Sequence, residues 1–172
     1  MIYGLRTPTA GHITVDNFAP GDLRPDVLRN QVALVRRGEV FHGTLEENVH
    51  LHRPEVTSAN VREATDAIGL YDQVLKLPNA FDTRLDGSGA PLSGSQRDLL
   101  CLARAIAGNP RLLLVDGLFD GLSDEELEMA LSHVLAPDRP WTTIISTGRE
   151  SIANRCDQFV DLRSASKASL NQ

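Results

Sequence analysis

Three small residues open a predicted helix in the segment LSGSQ, residues 92–96. Small side chains leave the first backbone N–H groups of a helix bare, and the helix dipole makes that end positive, so the segment could bind an anion. A serine followed three residues later by a glutamine is also the pattern of a capping box, which only satisfies the helix end. Both interpretations stay open for the segment taken alone, and its residues are Ser93, Gly94, Ser95 and Gln96.

A continuous apolar run that ends in an acid follows this helix. Residues 111–116 read RLLLVD, as expected of a buried parallel strand. A carboxylate at the end of such a strand can hold Mg²⁺ through water while phosphate oxygens fill its other coordination positions. Many strands end in aspartate, so Asp116 indicates a metal site only in combination with the segment before it.

The elements that would position these residues alternate between strand and helix. This alternation predicts an α/β fold, in which a parallel sheet with right-handed crossovers carries helices on its faces. Ligands bind such sheets at the carboxyl ends of the strands. Residues 163–172 are polar and small and are expected to fray. Spacing and end signals predict helices over 58–70, 93–107 and 123–135, a helical turn over 43–51, and strands over 11–16, 31–35, 111–116, 141–147 and 158–162.

Composition excludes several classes of protein. The chain has 172 residues, 41% of them hydrophobic, which fits one domain with a packed core. The formal charge of −6 argues against a broad nucleic-acid-binding face. No apolar run is long enough to span a bilayer, and we do not expect the first residues to be a signal peptide. Only two of the 17 basic residues are lysines, Lys76 and Lys167.

The helix-opening segment, the stretch LARAIAGNP and the strand ending in Asp116 form one uninterrupted run over residues 92–116. In order and spacing this run resembles the LSGGQ signature and Walker B strand of the nucleotide-binding domain of ATP-binding cassette (ABC) transporters. Residues 40–49 (VFHGTLEENV) are similar to the segment behind the Q-loop of exporter-type members, residues 8–16 to the hairpin after their phosphate-binding helix, and residues 144–149 to their switch segment.

The resemblance covers nearly the whole chain. It implies a single P-loop NTPase-like α/β domain over residues 1–172, with a small helical subdomain at about residues 43–91. Members of this family use ATP and Mg²⁺ to drive transport, and two such domains enclose ATP between the Walker A loop of one and the signature of the other. Carried over to this chain, the partners are a second nucleotide-binding domain and transmembrane domains at the cytoplasmic face of the cell membrane, with no role for nucleic acid. The resemblance assigns ATP contacts in trans to Ser93, Gly94, Ser95 and Gln96, and an ATP and Mg²⁺ contact to Asp116.

The sequence departs from the family at the phosphate-binding loop. That loop needs a lysine directly after a glycine, whereas Lys76 follows Leu75 and Lys167 follows Ser166. We therefore expect a domain truncated at its amino terminus, beginning past this loop.

The hydrolytic positions depart as well. Gly117 stands where the family has the catalytic glutamate, Gly148 where it has the switch histidine, and Arg36 at the Q-loop glutamine. Glycine has no side chain to orient water, and Asp120, three residues after Gly117, is not expected to substitute. Arg36 and Arg37 could touch phosphate, but a solvated basic pair is the favoured interpretation.

Three functions therefore compete. The chain is the ATP-binding or ATPase component of an exporter, or a degenerate half whose signature completes the ATP site of a partner, or an unrelated α/β domain in which residues 92–96 only cap a helix. The third requires several ordered motifs to coincide by chance and is disfavoured. Whether the chain is an enzyme stays open at this point, and alone it is expected not to hydrolyse ATP.

Overall fold

The structure is a computed structural model that describes residues 1–162, so the predicted fraying of residues 163–172 lies outside the described residues. Within them, two single 3₁₀ turns occupy Ala80–Asp82 and Leu118–Gly121. The helices and strands are α1 (Pro25–Gln31), β1 (Val32–Arg36), β2 (Gly43–Thr44), α2 (Leu45–His50), α3 (Ser58–Ala67), α4 (Tyr71–Leu75), β3 (Arg84–Leu85), α5 (Gly94–Ala107), β4 (Leu112–Asp116), α6 (Asp124–Val134), β5 (Thr142–Ser146) and α7 (Glu150–Ala153).

Three parallel strands form the main sheet, in the order β1-β4-β5. Their register places Arg36, Asp116 and Ser146 level with one another at the carboxyl edge. Strands β2 and β3 pair antiparallel in a separate two-stranded sheet. The predicted α/β class, a parallel sheet with flanking helices, is confirmed.

Helix α5 is the centre of the main core. A helix that is apolar on most sides must be buried, and α5 packs against α2, α3 and β1. Its Leu99, Leu102 and Ala103 have no solvent-exposed surface. The opposite face of the sheet has a smaller core, where Leu28 of α1 covers Val32 and Leu114.

One buried carboxylate fixes how α5 meets the sheet. Asp98, in the first turns of α5, has a side chain only 4% exposed. Its oxygens accept hydrogen bonds from the Gly38 backbone N–H at 3.0 Å and from Arg37 Nε at 3.1 Å. Gly38 and Arg37 directly follow β1, so the amino-terminal end of α5 lies at the carboxyl edge of the sheet.

A second polar cluster positions the segment between β1 and α2. The fully buried Asn48 accepts a hydrogen bond from the Phe41 N–H and donates to the Phe41 and Thr44 carbonyls, each at 3.0 Å. Arg104 of α5 donates to the Asn48 and Glu39 carbonyls at 2.6 Å. Burial lowers the pKa of Arg104, and the cost of burying it is offset by these carbonyl acceptors.

Two predicted strands are wrong. Residues 11–16 contribute only an isolated bridge between Val15 and Phe18, across a turn in which Asp16 and Asn17 have positive φ. Residues 158–162 form no strand, and Phe159 is 67% exposed. Both segments have a β-like composition, but neither has a neighbouring strand to pair with in the described part of the chain, and β-propensity depends on such packing.

The remaining predictions hold with small shifts. The helices at 58–70, 93–107 and 123–135 and the turn at 43–51 correspond to α3, α5, α6 and α2, and the other three strands to β1, β4 and β5. Strand β1 begins at Val32, because Gln31 ends α1. Helices α1, α4 and α7 were not predicted, since each has seven residues or fewer and so shows little periodicity. Across residues 1–162, no helix combines the length and apolar character that a membrane crossing requires.

We predict that Asp98→Ala lowers the free energy of unfolding by about 1–2 kcal/mol, because two hydrogen bonds to a charged acceptor are lost while water can still reach both donors. Asp98→Asn should lose less, because its amide oxygen still accepts from Gly38. Urea unfolding measures both. The control is Asp138→Ala, which removes an exposed carboxylate paired with its neighbour Arg139 and should change stability by less than about 0.5 kcal/mol. If Asp98→Ala and Asp138→Ala lowered the free energy of unfolding equally, the hydrogen bonds of Asp98 would not stabilise the fold as proposed.

Candidate functional site at the carboxyl edge of the sheet

Asp116 ends the central strand and lies exposed at the carboxyl edge, between Arg36 on β1 and Ser146 on β5. Within residues 1–162, no three His, Cys, Asp or Glu side chains are grouped so that they could hold a metal ion by themselves. One exposed carboxylate still suits Mg²⁺, which commonly binds through one or two carboxylates and fills its other positions with water and phosphate oxygens. The residues present thus fit a Mg²⁺ ion that arrives with a phosphate ligand.

The two arginines at the end of β1, Arg36 and Arg37, are both exposed, as the favoured interpretation of the sequence predicts, and each also forms an ion pair. Arg36 Nη2 lies 2.6 Å from Glu39 Oε1, and Arg37 is bound to Asp98. The Arg37 guanidinium also covers Gly121 in the loop after β4, where an added Cβ would lie 2.8 Å from Arg37 Cζ. Arg37 therefore joins the loops that follow β1 and β4.

Gly117 adopts a backbone conformation that favours glycine. Its φ is +64°, and its N–H donates to the Ser146 carbonyl at 3.0 Å. The space beyond its Cα is open, with no atom within 4 Å of an added Cβ. A larger residue at this position would therefore meet backbone strain and no steric clash.

Gly148, in the loop after β5, is bound through its backbone. Its N–H donates to Asp120 Oδ2 at 3.3 Å, and the Thr147 hydroxyl donates to Asp120 Oδ1. An added Cβ at Gly148 would lie 4.0 Å from Asp120 Oδ2, so a side chain would fit beside this carboxylate. Asp120 thus holds the loop after β5 by two hydrogen bonds.

The signature segment, residues 92–96, has the capping box that its sequence predicts. Ser93 is the N-cap of α5 and accepts the Gln96 N–H at 3.2 Å, while Gln96 Oε1 accepts the Ser93 N–H at 2.9 Å. The Ser93 carbonyl accepts the Arg97 N–H. Ser93 and Gly94 are exposed. Because Asp98 fixes this end of α5 at the carboxyl edge, the signature segment and Asp116 belong to the same edge of the sheet.

Ser95 is connected to the next helix. Its hydroxyl lies beside the carboxylate of Glu126, which also accepts the Ser123 N–H at 2.9 Å and the Ser123 hydroxyl at 2.8 Å. Burial by itself raises the pKa of Glu126, but the hydrogen bonds from Ser123 and Ser95 outweigh it, so the pKa is lowered. The lowered pKa favours the ionised carboxylate, which caps α6 through Ser123 and lies beside Ser95 of α5.

Sequence reasoning missed several residues that hold the site. Gln73 Oε1 of α4 accepts a hydrogen bond from Gln96 Nε2 at 3.0 Å, and Asp98 binds the Gly38 N–H although the sequence predicts for it only a place in a helix. A serine with a glutamate three residues later marks Ser123 and Glu126 as a capping box, but that signal does not reveal the contact with Ser95. Arg149 Nη1 donates to the Leu122 carbonyl in the loop after β4, and no sequence signal reveals this contact.

Comparison with known proteins agrees with this geometry. The family model described as ABC transporter matches residues 1–119. A multidrug export ATP-binding/permease protein of Staphylococcus aureus strain NCTC 8325 / PS 47 is 35% identical over 156 residues, and its counterpart from the bovine strain RF122 / ET3-1 is 34% identical; each alignment covers 88% of this chain and 26% of the relative. The chain thus spans about a quarter of the length of these curated relatives.

A solved structure shares the fold. It is a bacterial Atm1-family ABC exporter with ATP bound, which superposes with a TM-score of 0.81 at 25% identity and over 88% of this chain and 27% of the exporter chain. The parallel sheet and the flanking helices are therefore shared with a known exporter. With a family model that matches more than two thirds of its residues, this chain belongs to the ABC transporter family.

Proposed function

We propose that the chain is part of the ATP-binding component of an ABC exporter. It would act at the cytoplasmic face of the cell membrane, together with transmembrane domains and a second nucleotide-binding domain. Residues 43–91, which include α2, α3 and α4, would be the helical subdomain that faces the transmembrane domains. Support comes from the relatives, which are named as export ATP-binding/permease proteins, and from the ATP-bound exporter that shares the fold.

The exposed amino-terminal end of α5 carries this proposal. Ser93 accepts hydrogen bonds from the N–H groups of Gln96 and Arg97. The N–H groups of Gly94 and Ser95 have no acceptor in the part of the chain that the structure describes. A Cβ added at Gly94 would meet only Arg97 Nη2, at 3.9 Å. A phosphate presented by another chain can therefore approach these two N–H groups at the positive end of the helix.

The same edge of the sheet supports a second candidate function. In it the chain is one nucleotide-binding domain of a pair, contacts the nucleotide bound by its partner and does not hydrolyse ATP itself. Gly117 and Gly148 offer no side chain to polarise water, and Asp120 is occupied by Thr147 and Gly148. Asp116 would hold a Mg²⁺ ion that arrives with ATP, and that ion would neutralise phosphate charge. In this candidate the role of the chain is interaction, since the signature segment completes a site whose phosphate-binding loop belongs to the partner.

The isolated chain is expected to release phosphate from ATP at a negligible rate. It lacks a glycine-lysine phosphate-binding loop, and loss of general-base catalysis alone typically costs about 10²- to 10⁴-fold. Steady-state phosphate release with Mg²⁺ and ATP measures this, with a protein preparation carrying Gly94→Asp as a control for contaminating ATPases. A rate comparable to that of a working transporter ATPase, lost on changing Gly117 or Asp116, would contradict the proposal.

Gly117→Glu combined with Gly148→His is expected not to restore hydrolysis in this chain. No loop holds the β and γ phosphates, and a glutamate at a φ of +64° costs roughly 1–2 kcal/mol. A Walker A segment joined to the amino terminus should be needed in addition to both changes. The same fusion without the two changes is the control and should bind nucleotide without turning it over. Turnover by the two point changes alone would show that the nucleotide site lies elsewhere.

The chain is expected to associate with a domain that carries a Walker A loop, and only in the presence of ATP. Charge-assisted hydrogen bonds from α5 to phosphate contribute about 1.5–3 kcal/mol each. Ser93→Arg should block the approach by bulk, and Gly94→Asp should add like charge, so both should weaken association. Sedimentation velocity of the mixture, with and without ATP, measures the effect.

The matched control for this experiment is Ser93→Ala. It removes the helix cap and should cost about 1 kcal/mol of stability, but it leaves the N–H groups of Gly94 and Ser95 in place. Association that is absent, or that responds to neither ATP nor Gly94→Asp, would leave the signature segment with a capping role alone.

A further inference from the structure

The loop between β4 and α6, residues 117–123, is held from the side of β5 by one arginine. Arg149 Nη1 donates to the Leu122 carbonyl at 3.0 Å, and Arg149 Nη2 forms an ion pair with Asp124 at the start of α6. The Arg149 backbone N–H donates to Thr147 Oγ1 at 3.0 Å. The arginine side chain is 27% exposed, whereas that of Asp124 is 93% exposed. The bond to Leu122 is thus the more protected of the two side-chain contacts and the one that water disturbs less.

Asp120 reinforces this attachment from within the loop. Its two carboxylate oxygens accept hydrogen bonds from the Thr147 hydroxyl and the Gly148 N–H. Thr147 Oγ1 therefore donates to Asp120 and accepts from the Arg149 N–H. The loop after β4 and the loop after β5 consequently share a continuous set of hydrogen bonds, although neither Gly117 nor Gly148 has a side chain to contribute.

The other end of the loop leads to the signature segment. Leu122 precedes Ser123, the N-cap of α6, which binds Glu126 through its N–H and hydroxyl. Glu126 lies against the Ser95 hydroxyl, and Ser95 Oγ lies 3.4 Å from Ser93 Oγ. A displacement of Leu122 would therefore move Ser123 and Glu126, and would alter the side of the signature segment that Ser95 forms.

We propose that Arg149 is a positioning residue for the signature segment: by holding Leu122 and Asp124 it fixes Ser123 and Glu126, and through them Ser95. Arg149 acts through these residues and touches no phosphate itself. The inference rests on the proposed function only in treating the signature segment as the surface that meets a partner's phosphate. The structural linkage itself can be measured in the chain alone.

The chain offers a close control. Arg155 also follows β5 and also pairs with an acid of α6, with its Nη1 2.6 Å from Glu128 Oε2. In the described part of the chain, its side chain makes no hydrogen bond to residues 117–123. Arg149→Gln and Arg155→Gln therefore each remove one arginine–α6 ion pair, but only the first also removes a side-chain hydrogen bond to the loop. Arg149→Lys keeps a positive charge that can pair with Asp124 but loses the donor to the Leu122 carbonyl. Its effect on the loop should therefore lie between those of wild type and Arg149→Gln.

Hydrogen exchange of the full chain tests the linkage. The reporters are the Gln96 and Arg97 N–H groups, which are bonded to Ser93, and the Glu126 N–H, which is bonded to the Ser123 hydroxyl at 3.3 Å. Arg149→Gln should speed their exchange about three- to tenfold through local opening, while core amides of β4 change no more than in Arg155→Gln. Unchanged exchange at Gln96 and Arg97, or an equal rise in both variants, would overturn the proposal.

ATP-dependent association with a Walker-A-bearing domain is the second measurement. We expect Arg149→Gln to weaken it about three- to tenfold, Arg149→Lys less, and Arg155→Gln not at all. If wild type associates and Arg149→Gln does so equally well, the positioning role is overturned while the proposed function stands. If no variant associates but exchange at Gln96 and Arg97 still rises only in the Arg149 variants, the linkage stands and the proposed function fails.

Discussion

The hydrogen bonds to the buried Asp98 carboxylate are the constraint on which the carboxyl edge depends. Asp98 holds Gly38 and Arg37 directly after β1, and Arg37 in turn covers Gly121 in the loop after β4. A buried carboxylate is costly unless its oxygens are bonded, so α5 and the loop after β1 are stable only in a register that supplies these donors. That register places the amino-terminal end of α5, and with it the signature segment, at the same edge as Asp116.

The groups that position this edge and the groups that would react on it are distinct. Asn48, Arg104 and Asp98 are buried or largely so and are fully engaged with backbone or side-chain partners. Gly117 and Gly148, where the family resemblance places the catalytic glutamate and the switch histidine, contribute only backbone. Membership of the ABC transporter family therefore follows from the supporting framework, while hydrolytic competence is a separate property of individual side chains.

The sequence predicted those parts of the fold that carry their own signals. Helices α5 and α6 have capping boxes and helical periodicity, and the apolar run of β4 ends at Asp116, so their bounds were predicted within a residue or two. Strands over 11–16 and 158–162 were predicted wrongly, because a strand exists only with a partner and composition does not report one. The Asp98–Gly38 bond spans 60 residues and the Arg149–Leu122 bond 27 residues, and no local pattern reveals such contacts.

At Gly117, where the resemblance places a catalytic glutamate, the backbone conformation also constrains which residue can stand there. Its φ of +64° allows its N–H to reach the Ser146 carbonyl, which ties the end of β4 to the end of β5. A glutamate there would either adopt this strained conformation or move the loop that Asp120 and Arg149 hold against the loop after β5. Because that same loop leads through Ser123 and Glu126 to Ser95, a backbone shift at Gly117 would reach the signature segment. The residue at position 117 and the geometry of the signature segment are thus coupled through residues 117–123.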